Sequence, residues 1–503
     1  MPSRIRTLAV VLACGLLVSA PSLGPGHAAT KRAPHHVRAR PNIVLILTDD
    51  QRYDTLWAMP HVKRMLIRHG VRFTNAFVVN PLCCPSRTSI LTGKYSHGTD
   101  VYKNTPPHGG FASFNDKSTI ATWLHGAHYH TGLVGKYLNG YGDLKGRSYV
   151  PPGWDGWFAM LAPNGYYQYV IKTKHRRISY ATRHDDYSTA VLGDSAVQFL
   201  RKATSPFFLY YAPYAPHLPA TAPPRDENSF GKLRPLRTPS FGEADVSDKP
   251  AWIQERPAFA DADNEWAATV RRIQYQSLLE VDRTVAAIVN ELRATGQLDN
   301  TMIVFMSDNG IMWGEHRLIG LKEVPYEESI RVPMVIRYDP LTKKARRDSH
   351  FVLNIDLAPT FAALAGVKAP GVEGVSLLPL LRRNAKSWRT DFLVEHMKGG
   401  HPPDTYCAIR NQQYKYVLYS NGEEELYDLT ADPYELDNLA GDLTAQPTLL
   451  QMHQRLTQLC NPPPPKYSAV TGTPTPGPTL MPSVVPTPSP SSTASASPGV
   501  TGR

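Results

Sequence analysis

Residues 81–93 read Pro-Leu-Cys-Cys-Pro-Ser-Arg-Thr-Ser-Ile-Leu-Thr-Gly. Pro85 suits the first turn of a helix, where a missing N–H leaves no hydrogen bond unmade. Cys83 then sits just before a helix N-terminus, where the backbone dipoles favour negative charge. Arg87 follows about one turn later. One short segment thus offers a nucleophile precursor and a fixed cation. The same residues also read as a buried cysteine pair capping a core helix.

Polar residues recur behind apolar runs elsewhere in the chain. Asn42 to Thr48 is a continuous apolar run, as expected of a strand covered on both faces, and Asp49 and Asp50 follow it. Two carboxylates at the end of a buried strand are costly unless positive charge lies between them. A divalent cation with oxygen ligands answers that cost, and an ordinary acidic turn is the alternative. Asn300 to Met306 repeats the pattern and is closed by Ser307, Asp308 and Asn309. Phe207 to Tyr211 leads into a proline-rich turn around His217, and Tyr129 to Leu133 leads towards Lys136. In a doubly wound sheet such strand ends converge on one cleft.

The segment at 81–93 resembles the signature of the type I, formylglycine-dependent sulfatases. The matching residues are Cys83, Pro85 and Arg87, then Leu91, Thr92 and Gly93, with Cys84 at a variable position. The resemblance runs over roughly residues 40–460. It implies an α/β, alkaline-phosphatase-like sulfatase fold, with a large mixed-sheet domain and a smaller C-terminal α/β domain. It implies that a formylglycine-generating enzyme oxidises Cys83 to Cα-formylglycine. It assigns Asp49, Asp50, processed Cys83, Asp308 and Asn309 to a Ca²⁺ site, with Mg²⁺ as the other candidate. Arg87, Lys136, His217 and Lys322 are then the sulfate-side catalytic residues. His316, in Gly314-Glu315-His316, supports the pocket or is structural.

The expected reaction is hydrolysis of a sulfate monoester. The hydrated aldehyde carries two hydroxyls on one carbon: one attacks sulfur, and the other later expels sulfate. Many sulfatases have a histidine two residues after the first lysine, where this chain has Leu138. Gly135-Lys136-Tyr137-Leu138-Asn139 is instead similar to the N-acetylglucosamine-6-sulfatase branch. The Trp and Tyr residues of 151–169 echo that branch, and either line a sugar site or fill a core. An exo-acting enzyme for N-acetylglucosamine-6-sulfate or a related sulfated sugar is expected. The alternatives are an arylsulfatase, a phosphonate or phosphate monoester hydrolase on the same scaffold, and an inactive secreted carbohydrate-binding protein.

The chain has 503 residues and a formal charge of +11, which favours anionic partners. No zinc-finger spacing or long basic block points to nucleic acid. Residues 1–29 read as a signal peptide for secretion, with Arg4 and Arg6 before a short apolar run. That run is too short for a stable membrane span, and a lipoprotein anchor at Cys14 is the minor alternative. Residues 30–40 form a flexible basic lead-in, 41–375 the catalytic domain and 376–460 the smaller domain. Residues 461–503 read as a disordered Pro/Ser/Thr-rich tail. Five cysteines are too few for a disulfide scaffold, though Cys407 and Cys460 could form one bridge after export. Helices are expected over 58–70, 119–128, 184–202, 263–294, 351–365 and 445–459, and a long loop over 220–258.

Overall fold

The computed structural model describes residues 40–467 except 144–148, 232 and 343. The expected signal peptide, nearly all of the expected basic lead-in and most of the expected tail lie outside the described residues. Among those described, no helix is long and apolar enough to cross a membrane.

A ten-stranded mixed sheet runs through the larger part of the molecule. Four neighbouring parallel strands form its centre, in the order Thr301–Ser307, Asn42–Thr48, Phe207–Ala212 and His130–Lys136. Met334–Arg337 adds antiparallel to Thr301–Ser307, and Gly156–Met160 adds parallel to His130–Lys136. The uninterrupted apolar runs follow from burial of both faces. Ile43, Leu45 and Leu47 enter one core, while Val44 and Ile46 enter the other. On the first face lie Ile90 and Leu91 of the helix Cys83–Thr92, and Phe361 of the helix Leu357–Ala365. On the second lies the long helix Asp261–Ala294, through Leu278, Val281, Val285 and Ile288.

The C-terminal part is a four-stranded antiparallel sheet, Asp391–His396, Tyr406–Asn411, Tyr414–Tyr419 and Glu424–Asp428. The helix Gln446–Leu459 covers one face with Leu449, Met452 and Leu456. The opposite face packs on Phe77, Val79 and Phe351, in and beside the short two-stranded ladder of Ala76–Phe77 with Val352–Leu353. Cys407 and Cys460 are bridged, tying the second strand to the end of the helix. Tyr467, placed by composition in the tail, is buried and donates its hydroxyl to the Leu418 carbonyl at 2.5 Å.

Several boundaries differ from expectation. The helix expected at 58–70 is a helix at Pro60–Met65 between 3-10 turns at Leu56–Ala58 and Ile67–His69. The one expected at 351–365 begins at Leu357, because Val352–Leu353 pairs as a strand with Ala76–Phe77. Trp154, Trp157, Tyr166 and Tyr169 are core residues, at most 4% exposed, so they do not offer a sugar-stacking surface.

The bridge closes a segment with a sequence separation of 53. Chain-entropy reasoning gives it about 4 kcal/mol, inside the usual range of about 2–5 for a native bridge. Cys407→Ala/Cys460→Ala should therefore lower the unfolding free energy by about 2–4 kcal/mol in a denaturant titration. An unchanged midpoint would contradict a structural role.

Candidate active site

The central strands deliver polar side chains to one end of the sheet. Thr48 pairs in register with Ser307, and the Asp308 N–H donates to the Thr48 carbonyl at 3.1 Å. Asp49 and Asp308 thereby leave adjacent strands side by side. The Asp49 N–H donates to the Ala215 carbonyl, binding the loop that carries His217 to the same place. Lys136 is the last residue of its strand. Gly135 before it has φ +119° and passes the Ala212 carbonyl so closely that a Cβ would lie 1.9 Å from that oxygen. Only glycine lets Lys136 emerge there. Cys83 is the first residue of its helix, one step further in than the sequence suggests.

The predicted residues converge. Cys83 Sγ lies 3.4 Å from Asp49 Oδ1, 3.8 Å from Asp50 Oδ1 and 2.9 Å from Lys322 Nζ. Lys322 also donates to both Asp50 oxygens, at 2.6 and 2.8 Å. Lys136 donates to Asp49 Oδ2 at 2.5 Å. Arg87 Nε donates to Asp308 Oδ2 at 2.7 Å and its Nη1 to the Lys136 carbonyl at 2.9 Å. Asp49, Asp50, Cys83, Arg87, Lys136, Asp308 and Asn309 are all buried. The Lys322 and His217 side chains, 15% and 23% exposed, form the accessible rim.

Three carboxylates therefore meet three cations out of water. Burial opposes the charge of Asp49, yet Lys136, Arg87, His217 and Lys322 together hold it far below the usual carboxylate range. Asp50 is likewise held down, against burial, by Lys322 and His217. Asp308 goes the other way: burial and the Asp49 charge push it up to about 7, and Arg87 only partly offsets them. Burial keeps the Cys83 thiol well above its ordinary value, which makes the unmodified thiol a poor nucleophile.

His217 is pushed down to about 4 by burial, with Lys322 adding to the shift and Asp50 opposing it. Its Nδ1 donates to the Leu218 carbonyl at 2.5 Å, which leaves Nε2 as an acceptor 3.4 Å from Lys322 Nζ. The Tyr214 ring stacks on His217 at 4.6 Å and lies 5.7 Å from Lys136 Nζ. Sequence reading missed Tyr214; its position in the same proline-rich turn was the available signal. His316 lies apart from this cluster, with Nδ1 on Glu243 Oε2 at 2.5 Å and its ring against Tyr326, and is structural.

The donor set fits a divalent cation. Single atoms of Asp49, Asp50, Cys83 and His217 lie within 4.8 Å of one another. Asp308 joins through the Asp50 N–H, which donates to its Oδ1 at 3.1 Å. Asn309 donates through Nδ2 to Asp50 Oδ1, and its buried Oδ1 meets no donor among the described residues. An orphaned amide oxygen beside clustered carboxylates is what an oxygen-seeking ion would satisfy.

The loop bearing Lys322 is held by the C-terminal sheet. Lys415 donates to the Pro325 carbonyl at 2.8 Å, Arg410 bonds Glu327 at 3.3 Å, and Tyr326 donates to Glu425 at 2.8 Å.

This fold is that of a sulfatase. The sulfatase family model matches residues 41–367, and the chain belongs to that family. Residues 314–461 match the model for the N-sulphoglucosamine sulphohydrolase C-terminal region. Human N-acetylglucosamine-6-sulfatase is 33% identical over 469 residues, covering 84% of each chain. A Drosophila melanogaster extracellular sulfatase SULF-1 homolog is 35% identical over 71% of this chain, which spans only 33% of that protein's length. A solved structure bound to its substrate D-glucosamine-2-N,6-O-disulfate superposes with a TM-score of 0.75 at 26% identity, covering 85% of this chain and 98% of that one.

Asp308→Asn and Asn309→Ala test the ion site. Both should lower bound Ca²⁺ or Mg²⁺ in elemental analysis of the purified protein. Asp308→Asn should also lower stability, because Arg87 loses its 2.7 Å charged partner and keeps only Asp49, at 3.5 Å. Asn309→Ala should leave that pair intact and cost about 1–3 kcal/mol, for the lost hydrogen bond to Asp50. Full metal content in both variants would remove these residues from the ligand set.

Proposed function

We propose that this chain hydrolyses the 6-sulfate of N-acetylglucosamine or a related sulfated amino sugar, with Cys83 as the residue oxidised to formylglycine. The carrying observation is the meeting of Cys83 with Lys322, Lys136, Arg87 and three carboxylates at the ends of adjacent strands. When present, formylglycine supplies the nucleophilic hydroxyl, and the divalent ion supplies charge that stabilises it. Asp49, Asp50, Asp308 and Asn309 are the residues that would hold the ion.

The chain's own groups supply the rest. Lys136 and Lys322 now spend their charge on Asp49 and Asp50. With those carboxylates otherwise neutralised, both ammonium groups can face the sulfuryl oxygens. Arg87 stays fixed by Asp308 and the Lys136 carbonyl, and so holds Lys136 in place. The departing sugar oxygen needs a proton. His217 and Lys322 are the partly exposed pair that can deliver it, since the His217 Nδ1–H is committed to Leu218 and Nε2 faces Lys322.

The sugar assignment draws on the relatives' names and on Gly135-Lys136-Tyr137-Leu138-Asn139, not on the aromatic stretch, which is core. Secretion fits relatives named extracellular sulfatases and the leader at 1–29. The domain limits proposed are 41–375 and 376–460.

Peptide mass spectrometry of active protein should place formylglycine at position 83 and leave Cys84 a thiol. An active enzyme with both cysteines intact would end this mechanism. The substrate is tested by kcat/KM for N-acetylglucosamine-6-sulfate, galactose-6-sulfate, an N-sulfated glucosamine and an aryl sulfate. The first should lead the other sugars several-fold. No release from it beside rapid turnover of another sugar would overturn the named substrate alone.

His217→Gln tests proton delivery through leaving-group dependence. General-acid help is worth about 10²–10⁴-fold, so sugar sulfate turnover should fall by about 10² or more. An aryl sulfate, whose leaving group needs little protonation, should lose much less. Equal losses on both would assign His217 to sulfate binding.

A further inference from the structure

A concentration of unpaired positive charge lies at the edge of the large sheet, apart from the paired cations around Cys83. The edge strand Arg346–Asp348 runs parallel to Val71–Phe73, and the register sets Arg347 directly opposite Arg72. Like charges directly opposite one another destabilise a strand pair. Neither guanidinium has an ion-pair partner among the described residues. Arg72 is half-buried, and burial, Arg347 and Arg331 together lower its pKa. Charge on an edge strand can serve to block edge-to-edge pairing. That accounts for Arg347 but not for Arg72, which lies one strand further in.

Both arginines open into a surface cavity of about 610 Å³, whose wall also carries Lys63 and Trp57. Trp57 is 57% exposed, although Phe230 and Tyr275 fix its ring by edge contacts. The one carboxylate on the wall, Asp54, is already paired with Arg52 at 3.1 Å. A flat aromatic face beside unneutralised guanidinium groups suits a pyranose ring carrying sulfate. Arg346 and Arg347 also line an adjoining cavity of about 400 Å³ with Arg383, where Asp348 is paired with His350. Two depressions sharing a basic divider suit consecutive residues of one chain better than a single sugar.

We propose that this edge is a non-catalytic binding site for a sulfated polysaccharide, with Trp57 stacking on a sugar ring and Arg72 and Arg347 binding its sulfate groups. The site holds a polymeric ligand on the enzyme while the cluster around Cys83 acts elsewhere on it. This rests on the reading that the substrate is a sulfated glycan. None of the three residues touches the catalytic cluster.

The test uses the full-length enzyme and three variants, Arg72→Gln/Arg347→Gln, Trp57→Ala and the triple. Calorimetry measures binding of a heparin-derived octasaccharide, its desulfated counterpart and a DNA oligonucleotide of equal charge. The double variant should bind the sulfated octasaccharide about tenfold more weakly, as expected for two lost charge-assisted contacts. Its melting temperature should hold or rise, because a repulsion has been removed. Trp57→Ala should weaken the octasaccharide but not the DNA. Turnover of a small aryl sulfate should be unchanged in all variants, so a failure here is distinct from a failure of the catalytic reading. Unaltered octasaccharide affinity in the triple variant would overturn the proposal. Equal loss of DNA and octasaccharide, with Trp57→Ala silent, would overturn it in favour of an unspecific basic surface.

Discussion

Three buried carboxylates at the ends of adjacent parallel strands constrain everything around them. An isolated ionised carboxylate cannot be kept out of water at acceptable cost. Asp49 and Asp50 are kept so only because Lys136, Lys322 and Arg87 reach the cluster from three different elements, while Asp308, on Arg87, is pushed up to about 7. Each cation must be delivered to within hydrogen-bonding distance, and each delivery has its own structural device. Gly135 lets the backbone carrying Lys136 graze a neighbouring strand. The helix Cys83–Thr92 packs through Ile90 and Leu91 so that Arg87 projects back towards the sheet. Buried ion pairs are weak evidence for stability, since apolar replacements often serve as well. Their retention here is better understood as charge stored for a reacting anion.

The C-terminal sheet belongs to the same arrangement. Lys322 sits on a loop anchored by buried Leu318, Val324 and Tyr326, and that loop is also held from the far side by Lys415, Arg410 and Glu425. Glu327 accepts from Arg410 and lies 3.5 Å from Lys415, and these cations hold its carboxyl, against burial, down to about 2. The smaller sheet thus does more than cover a core: it sets where the second lysine stands. The bridge between Cys407 and Cys460 stiffens the strand next to the residues that make these contacts.

The parts of the fold that could be read from the chain are those where one physical demand dominates. Strands buried on both faces must be apolar throughout, and Asn42–Thr48, Phe207–Ala212 and Thr301–Ser307 announce themselves that way. The long amphipathic helix is equally plain. Elements set by tertiary pairing were not legible. Arg346–Asp348 has no strand pattern of its own and exists because Val71–Phe73 offers it a ladder. Val352–Leu353 resembles the start of the following helix until Ala76–Phe77 captures it. The aromatic residues at 154–169 show the same limit for function: a tryptophan that fills a core and one that stacks on a sugar have the same letter. Trp57, absent from any motif, is exposed.

The site residues were legible through a family signature, but their interdependence was not. Arg87 reads in sequence as a cation near a cysteine. In the folded chain it is also the partner that makes Asp308 tolerable and the donor that fixes the Lys136 carbonyl. His217 reads as a titrating histidine, yet the Leu218 carbonyl fixes its tautomer and turns Nε2 towards Lys322. A lone imidazole pushed down to about 4 is a weak proton donor near neutral pH. Coupled to an ammonium group 3.4 Å away, it becomes one end of a shared hydrogen bond instead. The proton for a departing alcohol is then best regarded as a property of the pair, because removing either member changes both the charge facing the sulfuryl group and the acceptor that orients the other.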